Sequence, residues 1–256
     1  MPEIIGRDRL IETLIDRLAD DRRIVLYGPI GSGKTTILRE ILRRLREAGR
    51  ACALAPVTAT LGDITTVMLG IYPEFDGTHL SRRQVRGRMK LAAEDRPGAL
   101  LLDHVRDIGT ASRGFLQSIW TLKVGVLAAV DVEFPRDMRR LQALRMRDLT
   151  MPVPPLGAAA MRRVFDAAAA SGALPRPLSD IEWRSLLGAA RGRPGWIRLM
   201  GDLATDERYW SDEGLHTGRL RADAASAMAA RYLGDAVPAF SAHAADRAAS
   251  TGGRIP

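Results

Sequence analysis

A glycine-rich segment with one lysine and two threonines carries the strongest chemical signal in the chain. Residues 28–36 read GPIGSGKTT, and Gly28, Gly33, Lys34 and Thr35 satisfy the P-loop spacing G-x-x-x-x-G-K-[ST]. Glycines allow the backbone to turn its N–H groups towards a phosphate, and the start of the following helix adds partial positive charge. The segment therefore predicts a site for the phosphates of a nucleotide.

The polar side chains of this segment have separate expected roles. Lys34 is expected to bridge the β- and γ-phosphates of ATP, and the Thr35 hydroxyl is expected to hold Mg²⁺. The remaining loop residues, expected to line the same phosphates, are Pro29, Gly31, Ser32 and Thr36. The predicted cofactors are therefore ATP and Mg²⁺.

A second chemical signal is the sequence LLLDHV, residues 100–105. A carboxylate at the end of a buried parallel strand faces the crevice where such sheets bind ligands, so Asp103 is expected to hold a magnesium-bound water. His104 follows it and is a conceivable general base, because a neutral imidazole accepts a proton near pH 7. A carboxylate would suit a position beside Mg²⁺ better, and Asp107 is the alternative group for positioning water.

Alternating apolar runs and amphipathic stretches indicate the elements that position these residues. Strands are predicted at 23–28, 51–57, 99–105, 123–132 and 149–154, and helices at 34–49, from 61, at 81–96 and at 136–147. This alternation predicts a three-layer α/β fold of the P-loop NTPase type, with a parallel five-stranded sheet between helices.

The composition changes after a proline cluster at 152–155, where alanine-rich helices are predicted and strands are not. The predicted helices cover 157–171, a stretch from about 180 to 190 opened by a Ser179–Glu182 capping box, and a third that begins at Pro194. We therefore expect an N-terminal segment at 1–20, a core at 21–156, a small all-α lid domain at 157–235 and a flexible tail at 236–256.

The amino-acid composition indicates which binding partners and which cellular compartment to expect. The formal charge of +8 favours an acidic partner such as DNA, although lysine occurs only three times and such arginine-rich usage is equally typical of a GC-rich genome. The single cysteine, Cys52, fits a reducing compartment and is expected to be a buried small residue. The chain shows no secretion signal at its start, and its longest apolar run, 124–130, is too short to span a bilayer. A cytoplasmic protein without a membrane partner is therefore expected.

Two families of P-loop proteins fit poorly. Residues 79–105 resemble the signature helix of ABC transporters, with Ser81 and Gln84 in place, but Arg82 and Arg83 stand where that family has two glycines. An ordinary helix with solvated arginines is the favoured interpretation. Regulatory GTPases are disfavoured because no N-K-x-D motif follows the fourth predicted strand.

A different resemblance covers about residues 4–204. The ordered set IIGRDRLIETLIDRL at 4–18, the P-loop, LLLDHV and GRP at 192–194 resembles the AAA+ ATPases. More narrowly, the set is similar to the STAND or NB-ARC branch and to AAA ATPases of transposition and replication initiation. The resemblance implies that Ile4, Ile5, Gly6 and Arg7 pack on the adenine, and that Pro194 lies near the adenine in a helical lid.

The resemblance also implies roles in catalysis. Asp131, at the end of the fourth strand, matches a polar sensor that would touch the γ-phosphate or the attacking water, although the family more usually has Asn, Thr, Ser or Arg there. An arginine finger would come from the next helix, where the candidates are Arg136, Arg139, Arg140, Arg145 and Arg147. His104 replaces the usual catalytic glutamate.

These features predict an ATPase that binds nucleotide tightly and hydrolyses it slowly. The expected role is a nucleotide-dependent switch that gates self-association or a partner, with a preference for accessory work on DNA. The alternatives are a P-loop kinase of small molecules, a STAND-type signalling protein, and an interaction protein that binds nucleotide without turnover.

Overall fold

The chain divides into two compact units, Met1–Ala160 and Met161–Pro256. The computed structural model describes residues 5–20, 23–55, 61–76, 81–96, 98–105, 114, 124–133, 137, 149–170 and 174–234. Except for Asp137, the helix predicted at 136–147 lies outside the described residues, as do the arginine-finger candidates on it, Ile4 and Asp107. The domain boundaries drawn from the sequence stay predictions.

The first unit alternates strands and helices along the chain. In order, its elements are α1 Asp8–Ala19, β1 Arg23–Gly28, α2 Lys34–Glu47, β2 Cys52–Ala55, α3 Leu61–Leu69, a 3₁₀ turn Pro73–Phe75, α4 Arg82–Asp95, β3 Gly98–Leu102, β4 Val124–Asp131 and β5 Leu149–Pro152. β1 has the predicted bounds, and the other four predicted strands are present but shorter by two or three residues. Such differences at element ends are common. Because β3 ends at Leu102, Asp103 follows the strand directly.

The five strands form one parallel sheet in the order β2-β3-β4-β1-β5. The predicted α/β fold with a parallel five-stranded sheet is therefore confirmed. β1 lies between β4 and β5, and its register pairs Gly28 with Asp131. β3 pairs with β4 on the other side, so that the ends of β1, β3 and β4 meet at one edge of the sheet. The P-loop, Asp103 and Asp131 all lie at that edge.

Apolar helix faces cover both sides of this sheet. On one side α1 and α2 bury Ile11, Leu14 and Ile41 against strand residues such as Leu127. On the other side α3 and α4 bury residues that include Met68 and Met89. The burial of β3 and β4 along their whole length explains why their sequences are continuous apolar runs. This layering fixes the sheet edge that carries the candidate site.

Ser81 and Gln84 form a reciprocal cap at the start of α4. The Ser81 hydroxyl accepts from the Gln84 backbone N–H, and the Gln84 carboxamide oxygen accepts from Ser81. Two residues that resemble the ABC signature therefore have an ordinary helix-capping role, in agreement with the favoured interpretation of this segment.

The second unit is helical apart from one short ribbon. Its elements, including a helix that starts just before the unit boundary, are α5 Ala158–Ala169, α6 Asp180–Ala190, α7 Pro194–Ala204, a 3₁₀ turn Glu207–Tyr209, β6 Trp210–Ser211, β7 Gly214–Leu215 and α8 Thr217–Gly234. The predicted capping box of Ser179 and Glu182 is present. The expectation that no strand follows residue 156 is wrong, since β6 and β7 pair antiparallel. Two-residue strands are too short to show an alternating pattern in sequence.

Two further predictions concern burial. Cys52 is 3% exposed and packs within the layer of α1 and α2, as expected for a small apolar residue. Within the described ranges, no helix has both the length and the apolar character needed to cross a membrane.

Candidate functional site

The P-loop joins β1 to α2 through two glycines in the left-handed region. Gly31 has φ 80° and Gly33, which caps α2, has φ 94°. Residues with a Cβ are strained at such angles, which is the physical reason for glycine at these positions. Gly28 is tightly surrounded, because a Cβ there would lie 3.1 Å from Ser32 Oγ and 3.3 Å from Val153 Cβ. The loop is therefore tightly packed against its neighbours.

Lys34 folds back over this loop and is buried. Its ammonium donates to the carbonyl oxygens of Gly28 at 2.8 Å and Pro29 at 3.0 Å. It also lies 3.3 Å from the Ser32 hydroxyl. Lys34 thus lies inside the P-loop, and its contact with the phosphates of a nucleotide stays a prediction.

Asp131 is the charged partner of Lys34. Its Oδ1 lies 2.7 Å from Lys34 Nζ, and both side chains are less than one tenth exposed. Burial would raise the pKa of Asp131, but its contact with His104 and the charge of Lys34 outweigh this and bring the pKa to about 2. The carboxylate is therefore ionised and bound to the same ammonium that would meet a phosphate.

Asp103 lies directly after β3 and is 2% exposed. Its Oδ1 accepts from the backbone N–H of His104 at 2.9 Å. Burial raises the pKa of Asp103, and the neighbouring His104 and the Thr35 hydroxyl partly offset that rise. A carboxylate so shielded from water is stabilised in its charged form by a nearby cation, which fits the predicted metal role.

His104 lies between the two carboxylates and Thr35. Its Nε2 is 3.4 Å from Thr35 Oγ1 and 3.8 Å from Asp103 Oδ2, while its Nδ1 is 3.6 Å from Asp131 Oδ2. The backbone of His104 is left-handed, with φ 46°, which costs a residue with a Cβ about 1–3 kcal/mol. This strained turn directs the imidazole into the group of residues that the sequence singled out.

The oxygen donors present suit Mg²⁺. Thr35 and Asp103 offer a hydroxyl and a carboxylate, the hard ligands that this ion prefers. The described part of the chain holds no cluster of three or more His, Cys, Asp or Glu residues arranged for a metal. A Mg²⁺ ion that enters with a nucleotide would not need such a cluster, because phosphates and waters would supply its other oxygen ligands. The chemistry of these two residues therefore fits the predicted ion.

The N-terminal segment reaches the P-loop through Arg7. Arg7 is 5% exposed, and its Nη2 donates to the Ser32 carbonyl at 3.4 Å. Burial lowers the pKa of the Arg7 guanidinium. Gly6 has φ 70°, and Ile5 is half-buried. Arg7 thus contacts the loop, and the contact of Ile5, Gly6 and Arg7 with adenine stays a prediction.

The structure adds one residue that the sequence did not single out. Glu133 Oε2 accepts from the backbone N–H of Ile30, inside the P-loop, at 3.1 Å. The signal that could have revealed Glu133 is its place two residues after Asp131, at the same strand end. A carboxylate thus occupies one of the loop's N–H donors.

Pro194 lies in the second unit. It is the first residue of α7, where its fixed φ and missing N–H are tolerated. Gly192 before it has φ 70°. The helix start is as predicted, and the adenine contact of Pro194 stays a prediction.

Comparisons with known proteins show which family the first part of the chain resembles. Residues 3–124 match the model of a family described as AAA ATPase domain. The chain matches none of the curated proteins.

Three solved structures are similar to this chain. Orc1 of Aeropyrum pernix in complex with DNA has 18% identity and a TM-score of 0.49, over 86% of this chain and 66% of that one. The FIGL-1 AAA domain in complex with ADP has 13% identity and a TM-score of 0.49, over 88% and 82%. Domain III of the replication initiation protein DnaA of Thermotoga maritima has 14% identity and a TM-score of 0.44, over 76% and 81%. The chain thus spans just under two thirds of the Orc1 chain.

Three observations agree on where the site lies: the family match, the P-loop and the strand order of the sheet. The P-loop and Asp103 both lie within the matched residues 3–124, and the sheet order places them at one edge. The part of the chain that holds both therefore matches the family described as AAA ATPase domain.

Proposed function

We propose that the first unit binds ATP with Mg²⁺ and hydrolyses it slowly. The observation that carries this proposal is the convergence of Lys34, Thr35, Asp103, His104 and Asp131 at one edge of the sheet, with the contacts of 2.7–3.8 Å given above. Parallel α/β sheets bind ligands at this edge, where a P-loop presents its N–H groups.

Each residue has a role that its contacts support. Lys34 holds the β- and γ-phosphates, and the two glycines with positive φ let the loop wrap them. Thr35 and Asp103 would hold Mg²⁺, which lowers the charge of the phosphates when it is bound. Arg7 fixes the N-terminal segment on the loop, close to where the nucleoside would leave the phosphate site.

The slow rate is proposed from His104. This imidazole stands where related hydrolases have a glutamate, and it contacts the carboxylates of Asp103 and Asp131. A divalent cation disfavours the protonated, positively charged imidazole, whereas it attracts a carboxylate in the same position. Water activation is therefore inefficient, and the nucleotide stays bound for long periods.

A long-lived bound nucleotide suits a switch better than a motor. We propose that nucleotide state gates self-association or a partner, and that DNA is the preferred partner because the chain carries a formal charge of +8. This role concerns the whole protein and is separate from the chemistry of the site.

Steady-state phosphate release tests the proposal in the wild type, Lys34→Ala and His104→Glu. Lys34→Ala is expected to abolish nucleotide binding, whereas Lys90→Ala, which removes one of the other lysines, is expected to leave it unchanged. His104→Glu is expected to raise turnover at least about tenfold, since a well-placed base contributes about 10²–10⁴-fold.

Two results would contradict this function. A wild-type rate above about 1 s⁻¹, within the ordinary range of enzymes, contradicts the slow switch. Transfer of phosphate to a small-molecule acceptor instead of water would favour the kinase alternative.

A further inference from the structure

The Asp131 carboxylate binds the ammonium that a triphosphate needs. Asp131 Oδ1 and Lys34 Nζ are 2.7 Å apart, with 8% and 6% of the side chains exposed. The sheet holds Asp131 in place, since its backbone pairs with Gly28 at the start of the loop. A buried, charge-assisted contact of this length is among the stronger polar interactions in proteins.

The carboxylate also faces the side of the site that would hold the metal. Asp131 Oδ2 is 3.6 Å from His104 Nδ1, and the other ring nitrogen lies 3.4 Å from Thr35 Oγ1. Thr35 is one of the two residues proposed to hold Mg²⁺, which in P-loop proteins bridges the β- and γ-phosphates. Asp131 therefore lies on the side of Lys34 that faces the residues proposed to hold the metal, and its position in the sequence matches the family's sensor of the γ-phosphate.

Two anions on one ammonium cannot be far apart. With charge-assisted N–H···O contacts of about 2.7–2.9 Å, the Asp131 oxygen and a phosphate oxygen bound to Lys34 lie at most about 5–6 Å from each other. At that distance, and with little water between them, like charges repel strongly. ADP brings one phosphate to Lys34 where ATP brings two, so the total repulsion from Asp131 is smaller with ADP.

We propose that Asp131 is a specificity-determining residue that disfavours the γ-phosphate, so that the site holds ADP more tightly than ATP. This inference rests on the proposed nucleotide binding and names the state in which the switch rests. The sensor role inferred from the family would have a polar group attract the γ-phosphate. Here the ionised carboxylate opposes it.

Calorimetric titration with ADP and with a non-hydrolysable ATP analogue, both with Mg²⁺, tests the inference. The wild-type chain is compared with Asp131→Asn, which keeps the shape and removes the charge. Asp16→Asn is the control, because it removes the same charge from an exposed position of α1. The wild type and Asp16→Asn are expected to prefer ADP. Asp131→Asn is expected to shift the ratio of the two dissociation constants towards the ATP analogue by at least about tenfold.

The ratio is measured within one sample, so a partly unfolded variant does not alter it. A ratio that Asp131→Asn leaves within about twofold of the wild type overturns the inference while nucleotide binding stands. A wild type that does not prefer ADP also overturns it. A wild type that binds neither nucleotide contradicts the proposed function, and the inference falls with it.

Discussion

Glu182 shows how a single carboxylate can join separate elements. Its Oε2 accepts from the Ser179 backbone N–H at 2.7 Å, and its Oε1 accepts from the Leu215 N–H at 2.5 Å. One side chain thus caps α6 and anchors β7. Burial would raise the pKa of Glu182, but the N–H donors of Leu215 and Ser179 outweigh it and lower the pKa below its usual range.

The depressed pKa of Glu182 predicts acid sensitivity of the second unit. A carboxylate with a lowered folded-state pKa stabilises the fold above its ordinary value of 4.5, and that stability is lost as pH falls through the folded value. Glu182→Gln is expected to lower the free energy of unfolding by about 1–2 kcal/mol at pH 7 and by less at pH 3.

Tryptophan fluorescence during thermal unfolding measures this effect, because three of the four tryptophans, Trp183, Trp196 and Trp210, lie in the second unit. Glu213→Gln is the matched control, since Glu213 is exposed in the same ribbon. Equal losses for both variants at pH 7, or a loss from Glu182→Gln that does not shrink in acid, would contradict the role given to Glu182.

At the scale of elements, the first unit depends on how closely α1 approaches β4. A Cβ at Gly125, in β4, would lie 2.8 Å from the Leu18 carbonyl oxygen and 3.1 Å from Leu18 Cδ2. A backbone atom cannot rotate away as a side chain can. The glycine therefore permits the close packing of this helix on the strand that ends in Asp131.

Gly125→Ala is expected to destabilise the first unit by about 1–3 kcal/mol, the usual cost of overpacking a core. Gly87→Ala is the control within α4, where nothing lies within 4 Å of the added Cβ. Gly87→Ala is expected to raise the free energy of unfolding of the first unit by about 0.4–1 kcal/mol, because alanine restricts the unfolded chain and favours a helix.

The single cysteine provides the measurement. Cys52 is buried in the first unit, and burial raises the pKa of its thiol, so modification by a thiol reagent requires unfolding. Labelling in a urea series should show an earlier transition for Gly125→Ala and a later one for Gly87→Ala. A Gly125→Ala transition that coincides with the wild type would show that α1 can move away without loss.

For the whole molecule, charge and nucleotide state together predict DNA binding. A protein with a formal charge of +8 that contacts several phosphates loses affinity steeply with salt, as counterions are released. We expect binding of a labelled duplex that weakens at least about tenfold between 50 and 200 mM salt. We also expect the affinity to differ at least about fivefold between ADP and a non-hydrolysable ATP analogue.

Fluorescence anisotropy of the duplex, with particle size measured in parallel, checks this prediction. Lys34→Ala is the control, since a protein that cannot bind nucleotide should bind DNA with the same affinity with ATP analogue, with ADP and without nucleotide. Undetectable DNA binding with ATP analogue, with ADP and without nucleotide would remove the DNA role. A change of particle size alone would instead support nucleotide-gated self-association.

The sequence by itself determined the P-loop, the alternation that predicts a parallel sheet, and the positions of Asp103 and the Ser179–Glu182 cap. These features depend on local spacing: a phosphate loop needs glycines at set intervals, and a buried strand needs a continuous apolar run. The short β6–β7 ribbon was not predicted, because strands of two residues are too short to show an alternation of apolar and polar residues.

Only the tertiary structure decided which polar groups meet. Asp131 and Lys34 are 97 positions apart by their numbers, and their 2.7 Å contact depends on the pairing of β1 with β4. The same holds for Arg7 on the Ser32 carbonyl and for His104 between two carboxylates. Sequence spacing specifies which side chains are available near a strand end. Strand order and register determine which charges lie next to each other, and here they place Asp131 beside Lys34.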